Sequence, residues 1–253
     1  MDVSARNPIK TTQTTIRIIE RLVECDGATV AELTRVTPFT KGTVYNHLAT
    51  LRELGYVTKE DDTYHVGLQF LYPAGRAVDR TPLANVSTEP VDELAEATGQ
   101  RIDLVATEEH RAVLVHSERG EKYAGPRGVI GSTVPLHGSA PGKAILAHHE
   151  RLSPSDALKL TEDIERTERT ITDADRLEVE LEHVREERLA YDRGELHDGY
   201  RGIAVPVFRS GTVQGAIGAF GADEHLRGKT FQQDIPGLVI STAEQLRKAL
   251  RDF

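Results

Sequence analysis

The chain has 253 residues, of which 38% are apolar and 28% are charged, and its net charge at pH 7 is −9. At about 150 residues per domain, this length indicates one large domain or two small ones. No run approaches the ~18 consecutive apolar residues of a membrane span, and residues 1–6 hold no apolar signal region. We therefore expect a cytoplasmic protein with no membrane partner. The single cysteine, Cys25, excludes an internal disulfide and a cysteine-based zinc site, and its place in an apolar helix predicts packing.

Charge is unevenly distributed along the chain. Residues 1–55 hold seven Lys or Arg and six Asp or Glu, a balance of +1, so the remaining residues carry −10. A strongly acidic chain is not expected to coat nucleic acid with its whole surface. Eight Lys stand against 23 Arg. This acidic, lysine-poor composition fits a halophilic source, and it equally fits an acidic mesophile with a GC-rich genome.

An apolar repeat and a capping motif predict two helices near the start of the chain. Apolar residues between Ile16 and Val23 recur with helical spacing, and Gly27 suits the position after a helix end. Thr29 and Glu32 form a capping box, which opens a short second helix. A proline after this segment ends it, because the residue before proline avoids helical angles.

A third helix and a hairpin complete the pattern of the first domain. The helix is predicted from about Thr40 to Leu54, with a core face at helical spacing formed by Val44, Leu48 and Leu51. The β-prone segments 56–59 and 63–66 flank an acidic turn and predict a hairpin. Three helices followed by a hairpin are the layout of a winged helix-turn-helix, which we assign to residues 1–67. A small three-helix bundle without DNA-binding function would show the same apolar pattern.

The outward face of the third helix is small and uncharged, which is more typical of a helix that reads the major groove than of a solvated helix. The predicted DNA contacts are Thr40, Lys41, Gly42, Thr43, Tyr45 and Asn46. Asn46 is suited to a bidentate contact with adenine, and Lys41 to a phosphate contact. The neighbouring His47 lies beside the core face and is predicted to pack rather than to bind a ligand.

The remaining chain divides into a connector and a larger domain. Residues 68–84 are the predicted connector, which we expect to form a helix that Pro73 and Gly75 weaken. Residues 85–253 alternate strand and helix patterns, with hairpin turns near 108–111 and 209–212 and a closing helix from Thr230 to Phe253. Hairpins interleaved with helices predict an α+β fold with a mostly antiparallel sheet.

Three stretches resemble one protein family. Residues 40–57 resemble the recognition helix and wing of IclR transcriptional regulators, and residues 131–147 and 191–207 resemble two parts of their effector domain. The three stretches occur in the family's order and span nearly the whole chain. The resemblance implies a GAF-like effector domain, a homodimer or dimer of dimers, operator DNA as a partner, and a small organic effector, commonly a carboxylate or aromatic acid. Where the family often has Ser and Arg, this chain has Gly42 and Asn46.

The resemblance also implies an effector site. Its residues would be His137, Gly138, Ser139, Ala140, Asp192, Glu195, Gly202, Gly218 and Phe220. Many members have Cys at the position of Gly202 and small hydroxyl residues at those of Gly218 and Phe220. These differences remove polar anchors and add an aromatic wall, so we expect an effector larger than the smallest carboxylates. Asp192 favours a ligand with hydroxyl or amine donors. A surface loop without a ligand is the alternative for Asp192 and Glu195.

The patterns of common enzymes do not fit. Residues 138–143 look like a phosphate-binding loop, but they have three residues between the glycines instead of four, and Ala144 replaces the magnesium-binding hydroxyl. No Gly-x-Ser-x-Gly nucleophile motif occurs. We predict no catalytic residues, metal or cofactor, and a DNA-binding regulator controlled by a small effector. The alternative is a GAF-like sensor or enzyme that does not bind DNA. The operator, the effector and the direction of regulation stay open.

Overall fold

The computed structural model describes residues 7–86, 88–161 and 165–252. The chain forms two compact units, one ending at Ala77 and the other beginning at Val78, so the division falls inside the predicted connector. Among the described residues, no helix is both long enough and apolar enough to cross a bilayer.

The first unit is a winged helix-turn-helix, as predicted. Its elements are α1 (Lys10–Glu24), α2 (Val30–Val36), α3 (Lys41–Glu53), β1 (Val57–Glu60) and β2 (Thr63–Val66). The capping box of α2 is present, because Thr29 accepts a hydrogen bond from the Glu32 amide while the Glu32 carboxylate accepts one from the Thr29 amide. The core joins all three helices to the hairpin and includes Ile18, Leu33, Leu48 and Tyr64.

The turn after α1 determines two local outcomes. Gly27 has a φ of +106°, and a Cβ there would lie 2.3 Å from the His65 ring, so both the backbone and the space require glycine. The expected packing of Cys25 is wrong, because this residue caps α1 and its side chain is exposed. The helix ends at Glu24, and the backbone turns away from the helix axis at Asp26, which has a φ of 53°.

The connector forms a helix despite its proline and glycine. A 3₁₀ turn, Leu68–Phe70, leads into α4 (Leu71–Asp79). The predicted connector helix is therefore present, and Pro73 lies in its first turn, where the missing N–H has no intrahelical partner to lose. No residue of α4 is buried within the chain.

A six-stranded antiparallel sheet is the centre of the second unit. Its strands, in the order β5-β4-β3-β8-β7-β6, are β3 (Arg101–Glu108), β4 (Arg111–Arg119), β5 (Thr133–Val134), β6 (Ala190–Asp192), β7 (Tyr200–Arg209) and β8 (Thr212–Ala222). The helices are α5 (Pro82–Asn85), α6 (Thr88–Thr98), α7 (Ala140–Leu146), α8 (Pro154–Lys159), α9 (Ala174–Glu187) and α10 (Ile235–Ala249). Both predicted hairpins are present, and the α+β prediction is confirmed. The closing helix is interrupted, since a π turn over Thr230–Asp234 precedes α10.

The two faces of this sheet have different covers. Ile102 and Leu104 belong to a core that includes residues of α6 and α10. Val105 belongs to the core on the other face, with residues of α7 and α9. Because side chains alternate along a strand, Arg101 and Asp103 point to the same face as Val105. The sheet therefore places two charged residues on a covered face.

Candidate DNA and effector sites

The predicted DNA contacts lie together on the outer side of α3. Thr40 caps the helix by accepting a hydrogen bond from the Thr43 amide at 3.3 Å. Val44 and Leu48 are fully buried, whereas Tyr45 is 55% exposed and Asn46 is also exposed. Lys41 and Gly42 are exposed and Thr43 is half-buried. This first turn and its outer face can therefore approach a groove.

His47 has a packing role, as its position on the helix predicts. It is half-buried, and its Nδ1 atom lies 2.9 Å from the hydroxyl of Thr15 on α1. The contact ties the recognition helix to the first helix.

The wing offers little positive charge. At its tip, Asp61 has a φ of 51° and Asp62 accepts from Lys59 at 3.0 Å. The exposed cations of α2 and α3 are Arg35, Lys41 and Arg52. In the first half of α3, the exposed residues after Lys41 are Gly42, Tyr45 and Asn46, all uncharged.

Several predicted effector residues lie on one row across the sheet. Strand register pairs Arg101 with Phe220, Phe220 with Gly202, and Gly202 with Asp192. A Cβ on Gly202 would be 2.7 Å from the Phe220 ring, and one on Gly218 would be 3.4 Å from it. The two glycines therefore provide the space that the Phe220 ring fills.

Asp192 organises the loop that follows β6. Its Oδ1 accepts from the amides of Gly194, Glu195 and Leu196 at 3.0, 2.7 and 3.4 Å. Burial, together with the neighbouring charge of Glu195, raises the pKa of Asp192 to about 6. Only 3% of Asp192 and 5% of Glu195 is exposed, so neither lies on a surface loop.

Lys143 is the buried counter-ion of this region. Its Nζ donates to both carboxylate oxygens of Glu195, at 2.8 and 2.9 Å, and to Glu180 at 2.9 Å. Lys143 is on α7 and its side chain is fully buried. The lysine of the apparent phosphate loop therefore binds carboxylates within the protein.

Residues 137–140 lie at the start of α7. The Ser139 hydroxyl accepts from the Gly142 amide at 3.1 Å and donates to the Pro135 carbonyl at 2.6 Å. A Cβ on Gly138 would lie 3.2 Å from Thr170, whose hydroxyl donates to the Glu195 carbonyl at 2.7 Å. Thr170 thus links this segment to the Asp192 loop. His137 and Ala140, at the two ends of this segment, are also buried.

The structure adds a charged pair that sequence reasoning missed. Arg101 donates to Asp103 at 2.8 Å and to the Tyr123 hydroxyl at 2.9 Å, and Ser117 donates to Asp103 at 2.7 Å. The Arg101 guanidinium lies 4.9 Å from the centre of the Phe220 ring. Burial raises the pKa of Asp103, while the Arg101 charge opposes that shift. Two charges at alternate positions of an apolar strand were the available sequence signal.

Beside this pair lies a cavity of about 560 Å³ along β4 and the following loop. It is lined by Ser117, Glu118, Arg119, Gly120, Tyr123, Arg127 and Gly128. Ser117 and Tyr123 both bond to the charged pair, so the cavity adjoins it. Within the described part of the chain, the buried Nε of Arg101 has no hydrogen-bond partner.

Family comparisons identify both units. The family described as the bacterial transcriptional regulator IclR C-terminal domain matches residues 75–248, and the IclR helix-turn-helix domain matches residues 12–61. The chain belongs to the IclR family. It is therefore a DNA-binding transcriptional regulator whose C-terminal domain is a small-molecule effector module.

Relatives of this IclR regulator match most of its length. It is 30% identical over 234 residues to a probable HTH-type transcriptional regulator ArcR of Halobacterium salinarum, covering 90% of this chain and 89% of the relative. It is 33% identical over 199 residues to the HTH-type transcriptional regulator KdgR of Escherichia coli, covering 78% and 76%. These relatives are named as regulators, not enzymes.

Solved structures share the fold at low identity. The Thermotoga maritima IclR has a TM-score of 0.74 and 22% identity, covering 95% of this chain and 98% of that one. An IclR homolog from Microbacterium hydrocarbonoxydans, complexed with 4-hydroxybenzoate, has a TM-score of 0.77 and 17% identity, covering 94% and 100%.

Proposed function

We propose that this IclR regulator is a cytoplasmic homodimer without enzymatic activity that reads its operator through uncharged groups of α3 and responds to a hydroxylated organic acid. The exposed ridge of α3 carries the DNA proposal. This ridge consists of Lys41, Gly42, Tyr45 and Asn46, which are exposed, and buried Val44 and Leu48 fix its orientation. Asn46 would supply base-specific hydrogen bonds, and Lys41 would position the helix on a phosphate.

Fluorescence anisotropy tests operator binding. The duplex next to the protein's own gene is compared with a shuffled duplex of equal length at low and moderate salt. Tighter binding of the native duplex supports the regulator. Equal, weak binding of both duplexes would favour the alternative, a GAF-like sensor or enzyme that does not act on DNA.

The homodimer proposal rests on apolar side chains that the single chain leaves exposed. Ile9, which caps α1, is 69% exposed, and Ile16 and Val23 on α1 are 49% and 56% exposed. In the connector, Leu68 and Leu71 are 81% and 64% exposed. One winged helix buries little surface on DNA, and a symmetric dimer doubles the contact. Light scattering at micromolar concentration should give twice the chain mass, and the operator should be a pseudo-palindrome. A monomeric mass would contradict this proposal.

The effector proposal rests on the two ends of the row formed by Arg101, Phe220, Gly202 and Asp192, which we call the Phe220 row. Asp192 uses one carboxylate oxygen in its loop, and its other oxygen can accept from a ligand hydroxyl. At the other end, Arg101 has an Nε–H donor that no described residue satisfies. A carboxylate oxygen suits that donor. An acid that also carries hydroxyl groups would satisfy both ends.

Matched ligand pairs test this chemistry by thermal shift. Gluconate is compared with sorbitol, and 4-hydroxybenzoate with 4-hydroxybenzyl alcohol, so that the members of each pair differ in the replacement of the carboxylate by a CH₂OH group. We expect the acid of at least one pair to raise Tm and the neutral partner not to. Equal shifts within both pairs would contradict a role for Arg101.

A variant at Phe220 tests the location of the effector site. Phe220→Ser should change which ligand raises Tm, while operator affinity without ligand stays nearly the same. Phe208→Ser, in the neighbouring strand but outside the predicted site, is the matched control and should keep the wild-type ligand preference. If both variants keep that preference, the effector binds elsewhere.

A further inference from the structure

Three side chains with metal-binding atoms meet on the sheet face that α6 covers. His116 and Glu118 are two residues apart on β4 and point the same way, and Asp92 approaches from α6. One ligand atom from each residue lies within 4.8 Å of the other two. His116 Nε2 and Asp92 Oδ1 are already 3.1 Å apart.

These distances fit a metal ion with little rearrangement. A tetrahedral ion with bonds of about 2.0–2.1 Å holds its ligand atoms about 3.3 Å apart. The His116–Asp92 distance of 3.1 Å is close to that value. Glu118 lies within 4.8 Å of both and needs a shift of at most roughly 1.5 Å, which an exposed side chain achieves by rotamer change. The backbone positions are fixed, because Val91, Leu94 and Ala95 of α6 are buried against the sheet core.

Charge at the cluster also favours a cation. It contains two carboxylates and one imidazole, and no described Lys or Arg lies within ion-pair distance of Asp92 or Glu118. The same helix also exposes Glu93 and Glu96. The negative charge of this surface is therefore not neutralised within the described chain.

We propose that Asp92, His116 and Glu118 bind one divalent transition-metal ion of the Zn²⁺ type, with water completing its coordination. The imidazole decides the class of metal, because Mg²⁺ and Ca²⁺ prefer all-oxygen sites whereas Zn²⁺ accepts mixed nitrogen and oxygen ligands. His116 and Glu118 pair with Leu104 and Ile102 across the strands. The side chains of Leu104 and Ile102 lie in the core on the face of the sheet opposite the Phe220 row. The metal ion would therefore lie on the face opposite that row, and Glu118 also lines the cavity beside Arg101.

Isothermal titration of ZnCl₂ into the full, chelator-treated chain tests the site. Wild type should bind one ion per chain, and both His116→Gln and Asp92→Asn should weaken binding at least tenfold. His110→Gln, in the turn of the same hairpin, and His149→Gln should retain wild-type affinity. Retained binding in His116→Gln, or no binding by wild type, would overturn the proposal.

Two further measurements test whether the variant has lost stability rather than a metal site, and whether any divalent cation binds equally well. Circular dichroism without metal should give the same Tm for His116→Gln and wild type, and Zn²⁺ should raise Tm only for wild type, because a ligand of the native state stabilises it. A Zn²⁺-dependent Tm increase of equal size in the variant would overturn the proposal. So would a titration in which MgCl₂ binds as tightly as ZnCl₂, since the imidazole would then have no role.

Discussion

Polar groups are exposed to solvent on the outer face of α3, but they are buried and bonded to one another around Asp192, Glu195 and Lys143. Asn46 and Tyr45 are exposed, and no described residue bonds to their side chains. In the buried region of the second unit, Asp192, Glu195 and Lys143 are bonded within the protein. A surface that binds a partner can leave its polar groups to water until the partner arrives, but buried groups need partners at once. Substitutions on α3 should therefore change binding, and substitutions in the buried region should change stability.

The largest expected effect is the loss of the buried cation. Lys143→Met leaves Glu195 and Glu180 without their counter-ion and should lower the free energy of unfolding by about 3–5 kcal/mol. Urea denaturation followed by circular dichroism measures this change. The control Lys159→Met, on the exposed side of α8, should change it by less than about 0.5 kcal/mol. A loss below about 1 kcal/mol for Lys143→Met would show that water reaches the carboxylates.

The titration of Asp192 should make the free energy of unfolding depend on pH. Burial raises its pKa from 3.8 to about 6, so the folded state holds the proton more tightly than the unfolded state. The stabilisation is complete below pH 3.8 and is lost as pH rises through about 6, a change of roughly 2–3 kcal/mol. Urea unfolding of wild type and Asp192→Asn at about pH 4 and about pH 7 should show this loss only in wild type.

A control of opposite sign sharpens this prediction. The pKa of Asp156 is lowered, chiefly by its hydrogen bonds to Ser153 in the capping box of α8. Its contribution should therefore disappear as pH falls rather than as pH rises. If Asp192→Asn and Asp156→Asn altered the pH dependence in the same direction, the assignment to Asp192 would be wrong.

The contact between Phe220 and Gly202 should produce coupled effects. A Cβ on Gly202 would meet the Phe220 ring at 2.7 Å, so Gly202→Ala should cost about 1–3 kcal/mol. With Phe220→Ala in place the same substitution should cost much less, because the ring is gone. A double-mutant cycle from urea unfolding measures the coupling. Additive costs would mean that the ring moves away freely.

The smallest change in stability is expected on α3. Asn46→Ala should weaken binding to the specific operator by about 1–3 kcal/mol and leave random DNA binding and unfolding nearly unchanged. Lys41→Ala should weaken binding to any DNA sequence. It should also reduce by about one the magnitude of the slope of the logarithm of the binding constant against the logarithm of the salt concentration. Anisotropy titrations on both duplexes over a range of salt concentrations distinguish the two roles. Equal weakening by Asn46→Ala on both duplexes would show that it does not read bases.

Local signals were sufficient for the helices and the hairpin of the first unit, although not for the exposure of Cys25. The capping box at Thr29, the apolar spacing through Val44 and Leu48 and the acidic hairpin turn each depend on residues within a few positions of one another. Local signals were mixed in the connector, where a helix was predicted across a proline and a glycine. Pro73 is compatible with α4 because it lies in the first turn, a boundary that the sequence does not mark.

The sequence by itself determined the two-part organisation, the α+β class, the exposed ridge of α3 and, through resemblance, the candidate effector residues. Only the tertiary structure decided that Arg101 joins Phe220, Gly202 and Asp192 in one row, since strand register brings Arg101 beside residues about a hundred positions further along the chain. It also decided that Lys143 donates hydrogen bonds to Glu195 and that the Asp92 carboxylate lies beside the His116 ring. Such pairs depend on which strands and helices become neighbours, and that choice reflects the packing of whole faces rather than any local pattern.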